Sequence, residues 1–125
     1  MVALRSYQDL TVWQRALDWT QTVYAASHGW PSDEKFGLTS QTRRAAVSIA
    51  ANIAEGAARR TTGEFLQFIG VAKGSLAEAE TLLILSARLN YTSNEALEAL
   101  MTDAAEIGRM LSGLAQSLRQ DPTSH

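Results

Sequence analysis

Residues 42–60 read TRRAAVSIAANIAEGAARR, a run of small apolar residues bracketed by two arginine pairs. Alanine has the highest helix propensity, and the run contains no proline, so it predicts a helix. Such a helix carries few large side chains, and the distance between packed helices depends on the side chains at their contact. The stretch therefore predicts a central helix that neighbouring helices approach closely.

The composition predicts one domain over residues 1–125. The chain is 46% hydrophobic and 19% charged, which is typical of soluble globular proteins. No apolar run reaches the roughly 18 residues of a membrane-spanning helix, and the first residues lack a signal-peptide pattern. With no cysteine in the sequence, we expect a cytoplasmic location and no membrane partner.

Four segments have helical periodicity, at about 11–27, 38–59, 62–89 and 94–119, and we expect the tail at 121–125 to be disordered. No segment alternates with the period of a β-strand. The connections are short, so the sequence predicts an all-α fold, an antiparallel up-down-up-down four-helix bundle.

The spacing also predicts helix starts and core faces. Capping-box pairs are Thr11 and Gln14, Thr61 and Glu64, and Thr92 and Glu95. The expected core face of the first helix is Trp13, Leu17, Thr20, Tyr24 and Ser27. That of the third is Phe65, Ile69, Ala72, Leu76, Ala79, Leu83 and Ser86. That of the last is Leu97, Leu100, Ala104, Ile107, Leu111, Leu114 and Leu118.

The second helix divides into three sectors on a helical wheel. The core face is Leu38, Thr42, Ala46, Ile49, Ile53 and Ala57. A polar stripe holds Gln41, Arg44, Ser48, Asn52, Glu55 and Arg59. The remaining arc is Val47, Ala50, Ala51, Ala54 and Ala58. An exposed apolar arc of this kind indicates an interface, and helical Gly70 and Gly74 would let a neighbouring backbone come close. The alternative is that the alanines reflect helix propensity alone.

The polar residues of the second helix have two interpretations. In one, Asn52 and Glu55 form a recognition site. In the other, Arg44, Asn52, Glu55 and Glu78 form a buried polar network, since burial of such groups requires pairing. Gly56, directly after Glu55, would allow another chain or loop to approach.

The net charge of −2 is unevenly distributed. Residues 35–60 carry five basic residues against one acidic residue, whereas residues 1–34 sum to −2 and residues 61–125 to −4. Arg43, Arg44, Arg59 and Arg60 are therefore candidates for a phosphate-binding surface. The structural alternative for Arg59 and Arg60 is stabilisation of the helix dipole.

We predict no catalytic residue, metal site, cofactor or small-molecule substrate. His28 and His125 are far apart in the sequence, and no Glu-x-x-His motif of a di-iron bundle is present. No glycine-rich phosphate loop occurs.

The chain resembles the bacterial 23S ribosomal-RNA intervening-sequence protein family, also called the four-helix bundle protein family. The matching blocks, in order, are DLTVWQRALDW, FGLTSQTRRAAVSIAANIAEGAARRT, EFLQFI, GSLAEAET and EIGRMLSGLAQSL. The most specific piece is SQTRRAAVSIAANIAEG, where members of the family typically have proline at the position of Ala50.

The resemblance implies an up-down four-helix bundle that assembles as a homopentamer, without enzymatic activity. A related branch, the accessory proteins of diversity-generating retroelements, binds nucleic acid and a reverse transcriptase through basic surfaces. Two hypotheses follow. The protein is an oligomeric module that contacts RNA or a nucleoprotein partner through its arginines, or it is a structural assembly protein that binds a protein partner and whose arginines form salt bridges between subunits.

Overall fold

The computed structural model describes residues 6–120, which form four α-helices and no β-strand. The helices are α1 (Thr11–Ser27), α2 (Leu38–Ala57), α3 (Thr62–Arg88) and α4 (Asn94–Gln120), with 3₁₀ turns at Tyr7–Asp9 and Ser32–Glu34. The predicted all-α, four-helix fold is confirmed, and the helix ends differ from the predicted ones by at most two residues. The tail expected to be disordered, 121–125, lies outside the described residues.

Each helix packs against two others, with α1 and α3 both lying between α2 and α4. Arg15, early in α1, forms a 2.6 Å ion pair with Glu106 in the middle of α4. Trp19, one turn later in α1, donates its indole N–H to the carbonyl of Leu100, earlier in α4, at 3.0 Å. The contacts run in reverse order along the two helices, as expected of antiparallel neighbours.

Branched aliphatic side chains fill the centre of the bundle, with alanines between them. The largest fully buried aliphatic residues are Ile49, Ile53, Ile69, Leu83, Ile107, Leu111 and Val23. All seven residues of the predicted α3 core face are buried. In α4 the prediction is right except that Leu97 and Leu114 are half-buried, while Ala115 is buried instead.

The predicted core face of α1 is wrong. Leu17 and Tyr24 are 40% and 43% exposed, and of the predicted face only Thr20 and Ser27 are buried. The residues that α1 buries are Val12, Ala16, Trp19, Thr20, Val23 and Ser27. Two adjacent faces of α1 carry large apolar residues at 3–4 spacing, so periodicity alone does not distinguish them. Trp19 can be buried because the Leu100 carbonyl of α4 accepts a hydrogen bond from its indole N–H. A buried indole N–H needs such an acceptor.

One of the three predicted capping boxes marks a helix start. The Thr61 hydroxyl accepts a hydrogen bond from the Glu64 amide at 3.1 Å, which caps α3 as predicted. The other two predictions are wrong. Leu10, which has no capping side chain, precedes α1, and Ser93 caps α4 by accepting from the Ala96 amide at 3.1 Å.

Thr92 is buried and joins two connections of the bundle rather than capping α4. Its hydroxyl accepts from the Trp30 indole at 3.1 Å and lies 2.8 Å from the Ser86 hydroxyl. Beside it, the Tyr91 hydroxyl donates to the Glu34 carboxylate at 3.1 Å, and this hydrogen bond raises the pKa of Tyr91. The α1–α2 and α3–α4 connections are therefore held together at one end of the bundle.

Gly56 marks a very close approach of α2 to α3. A Cβ atom at this position would lie 2.7 Å from Phe68 Cβ, closer than such atoms pack, and 3.0 Å from Phe65 Cδ1, which is a tight contact. The sequence indicated that another chain or loop would approach here, and the approaching element is α3 of the same chain. Only glycine fits at this crossing without a shift of α3.

We predict that Gly56→Ala lowers the free energy of unfolding by about 1–3 kcal/mol, because the added methyl group overpacks the α2–α3 contact. Gly113→Ala is the matched control, since a Cβ atom at position 113 in α4 meets nothing within 4 Å. It should stabilise the protein by roughly 0.4–1 kcal/mol through helix propensity. Urea unfolding of both variants measures the difference, and equal stabilities would contradict the assigned close contact.

Candidate nucleic-acid interface

Beside its polar stripe, α2 carries a second outward strip that consists only of small apolar side chains. Val47 is 45% exposed, Ala51 and Ala58 are exposed and Ala54 is half-buried. Ala50 was predicted to share this arc, but it is only 3% exposed and packs in the core, because it lies at the arc's edge nearest the core face. The outer face of α2 is thus defined by Val47, Ala51, Ala54 and Ala58, and whether it is an interface stays a prediction.

Gly70 and Gly74 are exposed on α3. A Cβ atom at either position would meet nothing within 4 Å, so packing within this chain does not require glycine there. The predicted reason for these residues, close approach by another backbone, is therefore not supplied by any helix of the same chain among residues 6–120.

The Arg43 side chain is bound to the end of α1. Its Nε donates to the Ser27 hydroxyl at 2.9 Å and its Nη2 to the Tyr24 carbonyl at 3.3 Å. The guanidinium also lies over the Tyr24 ring, 4.6 Å from its centroid. Arg43 therefore holds the last turn of α1 on α2, and it is the least available of the four candidate arginines for a ligand.

Arg59 and Arg60 follow the last turn of α2 and are exposed. Arg59 pairs with Glu55 at 3.3 Å and lies over the Phe68 ring, 4.9 Å from the centroid. An exposed ion pair of this kind contributes only about 0–1 kcal/mol to stability. Arg59 can therefore exchange Glu55 for another partner. Arg44 lies about 20 Å along the helix, at 1.5 Å per residue, from the last residue of α2, after which Arg59 follows. The arginines therefore form two groups at opposite ends of α2.

The predicted buried polar network is wrong for the single chain. Arg44, Glu55 and Glu78 are exposed, and only Asn52 is half-buried. The Asn52 side-chain amide donates to the carbonyl and the hydroxyl of Ser48, both at 2.8 Å, rather than to a charged partner. The charged groups remain exposed because small residues fill the α2–α3 contact and leave no room for them. In water these charges also avoid the cost of desolvation.

A polar niche of about 290 Å³ lies between α2 and α3. Its lining residues are Gln41, Arg44, Ala45, Ser48 and Glu78. The Ser48 hydroxyl at its edge lies 2.8 Å from the Ser75 hydroxyl of α3, so the two helices are bonded directly beneath the charged groups. Sequence reasoning placed Arg44 and Ser48 on one stripe, but only the helix packing brings Glu78 opposite them.

Sequence reasoning missed a second cleft, between α3 and α4, of about 600 Å³. Lys73 and Arg109 line it together with Glu80, and the Lys73 ammonium donates to the Ser112 hydroxyl at 3.0 Å. Burial raises the pKa of the Glu80 carboxyl. No sequence signal marked this cleft, because its residues come from two helices at unrelated positions.

Neither a metal cluster nor a membrane span is found in the described part of the chain. Across residues 6–120, no group of three His, Asp or Glu side chains is placed to hold a metal ion. No helix in this range is long and apolar enough to cross a membrane.

Comparison with known proteins gives one family and one fold. The family model described as 23S rRNA-intervening sequence protein matches residues 8–113. A search of curated proteins found no significant relative. The structure is similar to a crystal structure of a protein of unknown function from the S23 ribosomal protein family of Bacteroides thetaiotaomicron. The TM-score is 0.76 at 24% identity, over 85% of this chain and 99% of that one, which shows a shared fold.

We predict that Glu80→Gln raises the melting temperature near pH 7. Burial raises the folded-state pKa of Glu80, so its ionised form, which prevails well above pH 4.5, penalises the folded state. Below the unfolded-state pKa both states are protonated, and the advantage of the variant should vanish near pH 3.5. Glu98→Gln, at an exposed position of α4, is the control. A gain in melting temperature that is equal at both pH values would contradict this assignment.

Proposed function

The chain belongs to the 23S rRNA-intervening sequence protein family, and on this basis we propose that it is a non-enzymatic binding module that self-associates and contacts RNA through arginines at the ends of α2. Self-association would place several copies of each arginine group on one particle. Linked sites of this kind bind more tightly than any one of them, so modest contacts in each copy suffice.

One observation carries the proposal: beside its polar stripe, α2 presents a strip of exposed small apolar side chains, and arginines lie towards both ends of the helix. A solvated surface helix normally carries charged or polar residues on its outer side, and contiguous apolar exposure marks interaction sites. The outer face of α2 would bury this surface against another copy. The homopentamer implied by the family resemblance is the assembly we propose.

The charge pattern supports RNA as the second partner. Arg44 and Arg60 have no ion pair among residues 6–120, and Arg59 holds only an exposed one. Exposed arginines bind phosphate groups with release of counterions. The chain is acidic overall, so contact would be confined to these positions rather than spread over the surface. Kinship with the accessory proteins of diversity-generating retroelements stays a prediction.

The alternative is a purely structural assembly protein. In that case the exposed arginines would pair with acidic residues of a neighbouring copy. The acidic excess of residues 61–125 provides such partners. The two functions differ in what happens when the arginines are replaced, since salt bridges between subunits would affect assembly and phosphate contacts would not.

We predict that Ala51→Glu reduces the assembly to single chains of 13.6 kDa. Ala51 is exposed, so the fold tolerates the carboxylate, but burying an unpaired charge at an interface is strongly unfavourable. Light scattering gives the mass in solution. Ala99→Glu makes the same change at an exposed position of α4 and should keep the parent mass. A parent-sized Ala51→Glu assembly would show that the outer face of α2 is not the interface.

We predict that Arg59→Glu with Arg60→Glu abolishes salt-sensitive RNA binding and leaves the mass unchanged. In the parent protein, Arg44, Arg59 and Arg60 would make three phosphate contacts per copy. Three such contacts predict roughly a tenfold or greater loss of RNA affinity between about 50 and 200 mM salt. Fluorescence anisotropy with single-stranded RNA measures this. Arg109→Glu with Arg119→Glu produces the same change in net charge on α4 and should retain binding. Loss of assembly in the Arg59 and Arg60 variant would favour the structural alternative.

A further inference from the structure

We propose that the niche between α2 and α3 is a binding site for a guanine base of single-stranded RNA. The inference rests on the proposed function, because it assigns the base-reading site of the same RNA-binding surface. Phosphate contacts position a nucleic acid, whereas contacts to base edges confer specificity. The arginines at the end of α2 supply only the first kind of contact.

The niche presents a cation and an anion that are not paired with each other. Arg44 comes from α2 and Glu78 from α3, both are exposed, and both line the same cavity of about 290 Å³. Ion pairs in residues 6–120 join Arg15 to Glu106 and Arg59 to Glu55, so neither group of the niche is neutralised by a salt bridge. A ligand that lies between them can satisfy both.

Guanine matches this arrangement better than the other bases. Its O6 and N7 accept two parallel hydrogen bonds from an arginine guanidinium, the commonest specific contact to a base. Its adjacent N1–H and exocyclic amino group donate two parallel hydrogen bonds to one carboxylate. No other standard base offers a pair of acceptors on one edge and a pair of donors on the next. Bidentate contact with both Arg44 and Glu78 is therefore specific to guanine.

The rest of the niche is built to hold a planar polar ligand in place. Ala45 contributes only a methyl group, which keeps the cavity open, and Gln41 adds an amide that can donate or accept. Ser48 is fixed by hydrogen bonds at 2.8 Å to Ser75 and to Asn52. The helices that carry Arg44 and Glu78 are thus joined directly, so the spacing between the two backbone positions is set before a ligand binds.

The location of the niche fits a strand that follows the polar stripe of α2. Arg44 lies on this stripe about 20 Å along the helix from its last residue, and Arg59 follows directly after that end. A single strand that contacts Arg59 and Arg60 through its phosphates would reach the niche with a base several nucleotides away. Unstacked bases of single-stranded RNA are the ones that proteins read by hydrogen bonds to their edges.

The test uses the parent protein and three labelled uridine decamers that differ at one central position. This position carries guanosine, inosine, which lacks the exocyclic amino group, or 7-deazaguanosine, which lacks N7. We expect the guanosine decamer to bind about tenfold more tightly than either analogue, the scale of one bidentate base contact. Fluorescence anisotropy at constant salt measures the three affinities.

Two variants assign the preference to individual side chains. Glu78→Gln should lose discrimination against inosine but keep that against 7-deazaguanosine, and Arg44→Gln should show the opposite pattern. Glu55→Gln, an exposed acid on the same stripe but outside the niche, should retain both preferences. Arg60→Gln should weaken binding of all three decamers by the same factor.

Equal binding of the three decamers, with salt dependence retained, would overturn the guanine site and leave the proposed function standing. No binding of any decamer at low salt would overturn both. A change in the mass of Glu78→Gln in solution, with an unchanged helical circular-dichroism spectrum, would show that the niche is a contact between subunits and would also overturn the guanine site.

Discussion

The close approach of α2 to α3 at Gly56 is the contact on which the other features of this bundle depend. It brings the backbone of α2 against Phe65 and Phe68, which a side chain at position 56 would prevent. This contact fixes the rotation of α2 about its axis, because only one angle places Gly56 against α3. Ile49 and Ile53 then point into the core, where both are fully buried.

The rotation of α2 determines which chemistry reaches the surface. With one side in the core and one against α3, the methyl groups of the outer face are left to solvent. The polar stripe then runs along the contact between α2 and α3, where Ser48 bonds to Ser75 of α3 and accepts from Asn52 of its own helix. The Arg44 and Arg59 side chains on this stripe are exposed, so their charges remain solvated.

The two ends of the bundle are stabilised differently. At one end, hydrogen bonds among Trp30, Thr92 and Ser86 join the two connections, and Tyr91 bonds to Glu34 beside them. At the other, Arg59 is held by an exposed pair with Glu55 and by the Phe68 ring. Buried hydrogen bonds persist because breaking them leaves unsatisfied groups, whereas the exposed arginine contacts exchange readily. The contacts of Arg59 can therefore be exchanged for contacts to a ligand more easily than the buried hydrogen bonds at the opposite end.

The sequence by itself determined the four helices, their bounds to within two residues, the core face of α3 and most of the core faces of α2 and α4, because helix propensity and apolar spacing are local properties. It also identified the arginine groups and the methyl face of α2. The core face of α1 required tertiary structure, since Trp19 needed an acceptor on α4. So did the niche, because nothing in the spacing of Arg44 and Glu78 shows that two different helices hold them side by side. Contacts between helices are not encoded in the periodicity of either one.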